Sequence, residues 1–306
     1  MRGVSGACAG ASGAGRRRVP AAGGAIEALG GGRDRGVAAR PSGDALRSRR
    51  DAVRLRVAAA GALAVATLGL GACGDSEEPT ETITVFAAAS LTEAFGELAA
   101  AFEEEHPRIT VRLSFAGSAT LRTQILEGAP AAVFASASPD EVATLDAAGL
   151  VIEELALATN TLVVATGADG IEAFEDLALP GLRLVLAAED VPAGRYARKS
   201  LALAGDDFAG RVLANVRSNE ANVRATLAKV ELGEADAAIV YASDFRAADE
   251  GVRAIAIPER FQVAAAYRIA LLSESAGARA FLAFATSPEG MATLARHGFT
   301  AVGVTP

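Results

Sequence analysis

Cysteine and histidine are scarce in this sequence, which has two of each among 306 residues. Cys8 and Cys73 both precede the part with a folded pattern, so we expect no internal disulfide. His106 and His297 lie far apart, and neither has a cysteine or carboxylate at ligand spacing. We therefore expect no site for a free metal cation, and nothing in the sequence indicates a cofactor.

Positive charge is scarce beyond the N-terminal segment. The formal net charge is -8, but residues 1–56 contain twelve arginines against four acidic residues, so the rest of the chain has a net charge of about -16. A nucleic-acid partner requires a basic surface, and this composition excludes one. The hydrophobic content of 51% is enough to bury one large core or two moderate ones.

An apolar run near the N-terminus indicates export. Arg54 and Arg56 precede the uncharged stretch Val57–Leu70, which is too short to span a membrane. The following box, Leu70-Gly71-Ala72-Cys73, resembles the bacterial lipobox, in which the cysteine is acylated and becomes the mature N-terminus. We expect an extracytoplasmic protein anchored to the cell membrane through a lipidated Cys73.

These features divide the N-terminal part into three segments. Residues 1–52 have no apolar period, and we expect either a disordered extension or a misassigned start, with translation then beginning at Val53. Residues 53–73 are the expected lipoprotein signal peptide. Residues 74–81 are the expected solvated tether.

From Thr82 onward, β-rich runs alternate with amphipathic helices, which predicts an α/β fold with mainly parallel sheets and ligand sites at the carboxyl ends of strands. Two short apolar runs joined by Thr159-Asn160 predict a crossing to a second α/β unit. The β-rich run Val263–Leu272 brings the chain back. We expect two lobes with the ligand in the cleft between them, lobe 1 from residues 82–158 with 264–306 and lobe 2 from residues 159–263.

Two predicted strand-to-helix junctions contain a serine, Ser90 in ASLTE and Ser118 in AGSAT. A helix that starts there offers free N–H groups and a partial positive charge, which suits an anion. Each serine alone is also explained as an ordinary N-cap, Ser90 in a capping box with Glu93.

Three further positions belong to the same group of candidates. Pro192 opens a predicted helix and leaves the N–H of Ala193 without an intrahelical partner. Val223 opens another helix after Ala221-Asn222, and Tyr241 closes an apolar strand. Plain helix starts and a packed tyrosine explain these features equally well when each is taken alone.

The order of the motifs is more specific than any single one. The blocks TVFAAASLTEAF, SFAGSATLRTQILEGAPA, VPAGRYA, NVRATLAKVELGEADAAIVYASD and RHGF resemble, in the same order, the signature blocks of the molybdate-binding proteins of ABC transporters, the ModA family. The resemblance implies a type II periplasmic-binding fold with two lobes and a hinge. It also implies a non-enzymatic, monomeric carrier that passes molybdate or tungstate to an ABC permease.

The resemblance places the oxyanion contacts on named positions of this chain. They are the hydroxyls of Ser90, Ser118 and Tyr241 and the backbone N–H groups of Ala193 and Val223. Such donors suit a fully ionised oxyanion, which only accepts hydrogen bonds. Arg195 is expected to be solvated.

The chain departs from the family where acidic residues are common, since it has Ala129-Pro130-Ala131-Ala132 and Ser138. These departures leave fine specificity open, and a carrier of another tetrahedral oxyanion such as sulfate is the main alternative. A serine-dependent hydrolase using Ser90 or Ser118 is a remote alternative, because neither has an evident general base. A transcriptional regulator would need a helix-turn-helix that residues 1–52 cannot form.

Overall fold

The computed structural model describes residues 81–302, which fold into two β-sheets flanked by helices. The strands are, in chain order, β1 (Glu81–Ala88), β2 (Ile109–Ala116), β3 (Val133–Ser136), β4 (Glu153–Asn160), β5 (Leu162–Thr166), β6 (Leu184–Ala187), β7 (Val216–Glu220), β8 (Ala237–Tyr241), β9 (Arg253–Ala256), β10 (Ala265–Leu271) and β11 (Thr300–Ala301). The predicted signal peptide with Cys73, the predicted tether up to residue 80 and residues 1–52 lie outside the described residues.

The helices cover the faces of these sheets. They are α1 (Thr92–Glu105), α2 (Ser118–Leu126), α3 (Pro139–Ala147), α4 (Pro192–Leu203), α5 (Asp206–Ala214), α6 (Val223–Glu231), α7 (Ala242–Phe245), α8 (Ala276–Ala285) and α9 (Pro288–Arg296). Short 3-10 turns occupy Ala89–Leu91, Phe174–Ala178 and Glu259–Phe261. Across residues 81–302, none of the helices has the length and apolar character needed to cross a bilayer.

Each sheet runs mainly in one direction. The first sheet has the order β11-β4-β10-β3-β1-β2 and the second the order β7-β6-β8-β5-β9. In the first, β10 and the short β11 run against the other strands, and in the second only β5 does. This arrangement confirms the α/β fold class with mainly parallel sheets, and it places the carboxyl ends of four parallel strands on one edge of each sheet.

The chain crosses between the sheets at Thr161 and again between β9 and β10. The two crossings are tied to each other, because the side chain of Gln262 accepts from the N–H of Leu162 at 3.0 Å and donates to its carbonyl at 2.9 Å. Asn160 also donates to the hydroxyl of Ser243 at 2.7 Å. Paired crossings of this kind are the geometry of a hinge.

Hydrophobic periodicity explains why the elements form. In α1 the buried residues follow helical spacing and pack toward the first sheet, and they are Ala94, Phe95, Leu98, Ala99 and Phe102. In β8 every residue is buried, as expected for a central strand covered on both faces.

The alternation of strands and helices agrees with the sequence analysis, with three informative differences. Strand β7 was not predicted, because VRSNE is a polar edge strand with no buried residue. Helix α1 begins at Thr92, since Ser90 lies in the preceding 3-10 turn. Glu81, assigned to the tether, already belongs to β1 and accepts from the N–H of Gly277.

Gly194 in α4 allows this helix to lie directly on the end of β6. A Cβ at this position would stand 2.0 Å from the carbonyl oxygen of Ala188 and 2.3 Å from that of Ala187. We expect Gly194→Ala to lower the free energy of unfolding by about 1–3 kcal/mol through overpacking against backbone. Urea unfolding followed by circular dichroism measures the change.

Gly210→Ala in α5 is the matched control, because a Cβ there would meet nothing within 4 Å. It should leave stability unchanged or raise it by about 0.5–1 kcal/mol, as alanine does in a helix. Equal effects of the two substitutions would contradict the packing described for Gly194.

Candidate functional site

A small cavity lies where the two sheets face each other, at the carboxyl ends of six parallel strands. Its walls follow β1, β2 and β3 of the first sheet and β6, β7 and β8 of the second. They consist of Ala88, Ala89, Ser90, Gly117, Ser118, Ala137, Val191, Pro192, Ala193, Asn222, Val223 and Tyr241. The structure thus brings together all five positions named from the sequence: Ser90, Ser118, Ala193, Val223 and Tyr241.

The cavity is small and its lining is neutral. Its empty volume is about 220 Å³, including the space open at its mouth. Of the described residues, those that line it include no Asp, Glu, Lys, Arg or His. The two sides approach closely, since a Cβ on Gly117 would stand 2.4 Å from the carbonyl oxygen of Ala221.

Helix N-termini supply the backbone donors. Helices α2 and α4 begin at the cavity with Gly117 and Val191 as N-caps, and neither start has a side-chain capping bond. By contrast, α8 and α9 are capped by the hydroxyls of Ser275 and Ser287. At the cavity, first-turn N–H groups such as that of Ala193 are therefore left for another acceptor.

Helix α6 shares this property in part. The side chain of its N-cap, Asn222, accepts from the N–H of Ala225 at 2.9 Å. This cap does not use the N–H of Val223, which is the first residue of the helix. Val223 itself is 4% exposed and lies in the cavity wall.

The two serines do not act as caps. Ser118 is the first residue of α2, and its Oγ accepts from the N–H of Ala137 at 3.1 Å, which leaves its proton for a further acceptor. Ser90 Oγ lies 2.8 Å from the hydroxyl of Tyr267, and no capping bond joins it to α1. The capping-box explanation of Ser90 and the N-cap explanation of Ser118 are therefore wrong.

Tyr241 presents a buried hydroxyl with an unused hydrogen bond. The residue is 1% exposed, and within the described part of the chain its Oη has no hydrogen-bond partner. Burial raises its pKa well above the ordinary value, so the phenol stays protonated. A buried hydroxyl without a partner costs about 1–3 kcal/mol, so the cavity is suited to a ligand that accepts from it.

The chain matches known binding proteins over most of its length. Residues 83–300 match the family model for bacterial extracellular solute-binding proteins. The molybdate-binding protein ModA of Mycobacterium tuberculosis is 37% identical over 252 residues, a match that includes 77% of this chain and 94% of the relative. The chain belongs to the ModA family.

Solved structures agree with the fold of this ModA-family protein. The periplasmic molybdate-binding protein of Azotobacter vinelandii superposes with a TM-score of 0.64 at 21% identity, with 73% of this chain and 99% of that one covered. The sulfate-binding protein SubI of M. tuberculosis superposes with a TM-score of 0.66 at 19% identity, with 73% and 88% covered. At these identities the likeness establishes the type II periplasmic-binding fold alone.

Two buried residues of this ModA-family chain, Tyr267 and Asp244, pack behind the cavity wall. The sequence analysis did not name them. Tyr267 in β10 is fully buried, bonds Ser90 and lies with its ring centroid 5.8 Å from that of Tyr241. Asp244 in α7 is also fully buried and lies 2.8 Å from the Nε of Arg224, although the N–H is not aligned with it for a hydrogen bond. The sequence signal that could have identified these two residues was a tyrosine or an aspartate inside an apolar run.

The structure gives Arg195 and the two histidines partners that the sequence analysis did not predict. Arg195 is not a free surface side chain as expected, because it bonds the carboxylate of Glu141 at 2.7 Å and the carbonyl oxygen of Asp190 at 2.6 Å, although about a third of its side chain stays exposed. Both histidines have other partners, His106 the ring of Phe102 and His297 the carboxylate of Glu97. Among residues 81–302, no group of three or more His, Cys, Asp or Glu side chains could hold a metal ion.

Asp244 gives the protein a testable pH dependence. Burial raises the pKa of Asp244 to about 7, opposed by the charge of Arg224 and reinforced by that of Glu93. The folded state then binds an extra proton between about pH 4 and pH 7, so the free energy of unfolding falls as the pH rises through this range. The slope from one such group is at most about 1.4 kcal/mol per pH unit.

We expect Asp244→Asn to remove this contribution. Between pH 5 and pH 7 the wild type should lose on the order of 2 kcal/mol more stability than the variant, measured by urea unfolding of the ligand-free proteins. Parallel pH profiles for the two proteins would show that Asp244 titrates normally.

Proposed function

We propose that this protein is an extracytoplasmic solute-binding protein that captures molybdate in the cavity between its two lobes and delivers it to an ABC importer. The observation that carries the proposal is the uncharged lining of the cavity, above all the buried Tyr241 hydroxyl, which has no partner within the described part of the chain. Membership of the ModA family supports the choice of ligand.

The cavity chemistry matches a dianion that has no proton to donate. Molybdate is fully ionised at neutral pH, and all of its oxygens accept hydrogen bonds. The hydroxyls of Ser118 and Tyr241 and the first-turn N–H of Ala193 converge on the cavity from both sides. Hydrogen bonds from neutral donors to a charged acceptor are strong, and the helix N-termini add favourable partial charge.

The remaining two contacts complete the proposed cage. With Tyr267 donating to Ser90 Oγ, the Ser90 proton is free for the anion, so Tyr267 fixes the orientation of that hydroxyl. The N–H of Val223 contributes from the start of α6. Lobe 1 thus supplies Ser90 and Ser118, and lobe 2 supplies the other three donors, so the anion bridges the cleft and favours closure.

Other oxyanions are separated by charge and size. Hydrogen phosphate carries a proton that would call for a carboxylate acceptor, and no carboxylate of the described residues lines the cavity. Tungstate has the same charge and shape as molybdate and should bind as well. Sulfate, the alternative ligand, is smaller and would leave donors at longer distance. A serine hydrolase gains no support, since the bonding partners of Ser90 and Ser118 are Tyr267 and the N–H of Ala137.

Calorimetric titration tests the ligand and the cage together. Ser118→Ala and Tyr241→Phe should each weaken molybdate binding by about 1.5–3 kcal/mol, roughly ten- to hundred-fold, because each removes a bond to a charged acceptor. Tungstate should bind comparably, and sulfate and phosphate should bind more weakly.

Thr144→Val is the control, because it removes an exposed hydroxyl on α3 that bonds only within its own helix. It should bind molybdate as the wild type does. Tighter binding of sulfate than of molybdate would make this a sulfate carrier. Unchanged affinity in both cage variants would place the anion elsewhere.

We also propose that the protein acts as a monomer attached to the membrane through a lipid on Cys73. The support is the lipobox-like sequence Leu70-Gly71-Ala72-Cys73 behind a basic and apolar signal. One chain supplies every wall of the cavity, so binding requires no second copy.

Cys73→Ser should release the protein from the membrane fraction while molybdate affinity stays the same, because the cage lies entirely within residues 88–241. Fractionation of cells followed by immunoblotting measures the distribution. A variant that stays with the membrane would contradict lipid anchoring at this cysteine.

A further inference from the structure

We propose that two arginine–glutamate ion pairs across the cleft act as clasps that hold the closed form and slow the release of the anion. The Arg195 clasp joins Arg195 of α4 to Glu141 of α3, and the Arg224 clasp joins Arg224 of α6 to Glu93 of α1. The inference rests on the proposed function, because its main readout is the release of molybdate.

Both clasps connect one sheet's helices to those of the other. Helices α4 and α6 follow β6 and β7 of the second sheet, whereas α1 and α3 follow β1 and β3 of the first. Hinge opening would separate the partners of each pair, so the pairs exist only in the closed arrangement. The interaction energy of the two pairs therefore stabilises the closed form relative to the open form, and it does not contribute to the stability of either lobe by itself.

Each clasp is built into the turns that line the cavity. Arg195 lies two residues after Ala193, and Arg224 directly follows Val223. Their partners are placed in the same way, since Glu141 follows Ala137 by four residues and Glu93 follows Ser90 by three. When a helix start moves toward the anion, the arginine and the glutamate of its clasp therefore come within pairing distance.

The side chains are held ready for pairing. Glu141 is 1% exposed and also accepts from Arg122 of its own lobe at 2.8 Å. Arg224 packs against the buried Asp244 of its own lobe, with 2.8 Å between its Nε and a carboxyl oxygen. Such fixed charges lose less side-chain entropy on pairing than two mobile surface residues do.

These contacts also permit clean variants. Arg195→Gln breaks one clasp while Glu141 keeps Arg122, and Glu93→Gln breaks the other while Arg224 keeps Asp244. Neither substitution leaves a buried charge alone, and none of the four clasp residues lines the cavity. Arg279→Gln is the matched control, because Arg279 pairs with Glu274 and Glu153 within the first lobe.

The test follows molybdate binding and release by stopped-flow tyrosine fluorescence, since the chain has three tyrosines and no tryptophan. Each single variant should raise the dissociation rate by about 2- to 5-fold, and the double variant by about tenfold, with association nearly unchanged. In 1 M NaCl the excess over wild type should shrink, because the pairs are partly exposed. Arg279→Gln should release molybdate at the wild-type rate.

A wild-type dissociation rate in the double variant at low salt would overturn the clasps. If the wild type binds no molybdate, the proposed function fails, and the clasps are judged by small-angle scattering of the ligand-free proteins instead. A larger radius of gyration for the double variant than for the wild type then supports them, and identical scattering overturns them.

Discussion

A cavity that holds a small dianion away from water must replace every lost hydrogen bond to water with a donor of its own. The rest of the structure follows from this constraint. Parallel strands place their carboxyl ends on one edge of each sheet, and the helices that follow start there with free N–H groups. Because the two edges face each other, Ser118 and Tyr241 lie in the wall of one cavity, where we propose that they donate to the anion without a cation in the lining.

Cationic side chains are used one layer further out. Arg195 and Arg224 lie next to residues of the cavity wall but pair with carboxylates of the opposite lobe. Under the proposed function, the anion is held by neutral groups, while the proposed clasps act on the movement of the lobes. This separation keeps the cavity selective for an acceptor-only ligand, because a cation in the lining would attract any anion.

The sequence was sufficient for the alternation of elements, because helix starts and strand ends have local signals such as Pro192. The five cavity positions came instead from the resemblance of the motif blocks to the ModA family, since each position alone fits an ordinary helix start or a packed tyrosine. The sequence was not sufficient for features that depend on contacts between residues far apart along the chain. Strand β7 forms by pairing with β6 despite its polar composition, and Ser90 bonds Tyr267, which is 177 residues away. The pairing of Arg195 with Glu141 likewise depends on how the lobes meet, which local patterns do not encode.

A crystal structure of the molybdate complex, with anomalous data collected at the molybdenum edge, tests the central claim most directly. The account predicts one strong anomalous peak in the cavity. The oxygens around this molybdenum should lie within hydrogen-bond distance of the Ser118 and Tyr241 hydroxyls and of the Ala193 N–H. A peak instead beside Arg246 and Arg296, which line a separate cavity, would show that charge rather than the neutral cage binds the anion.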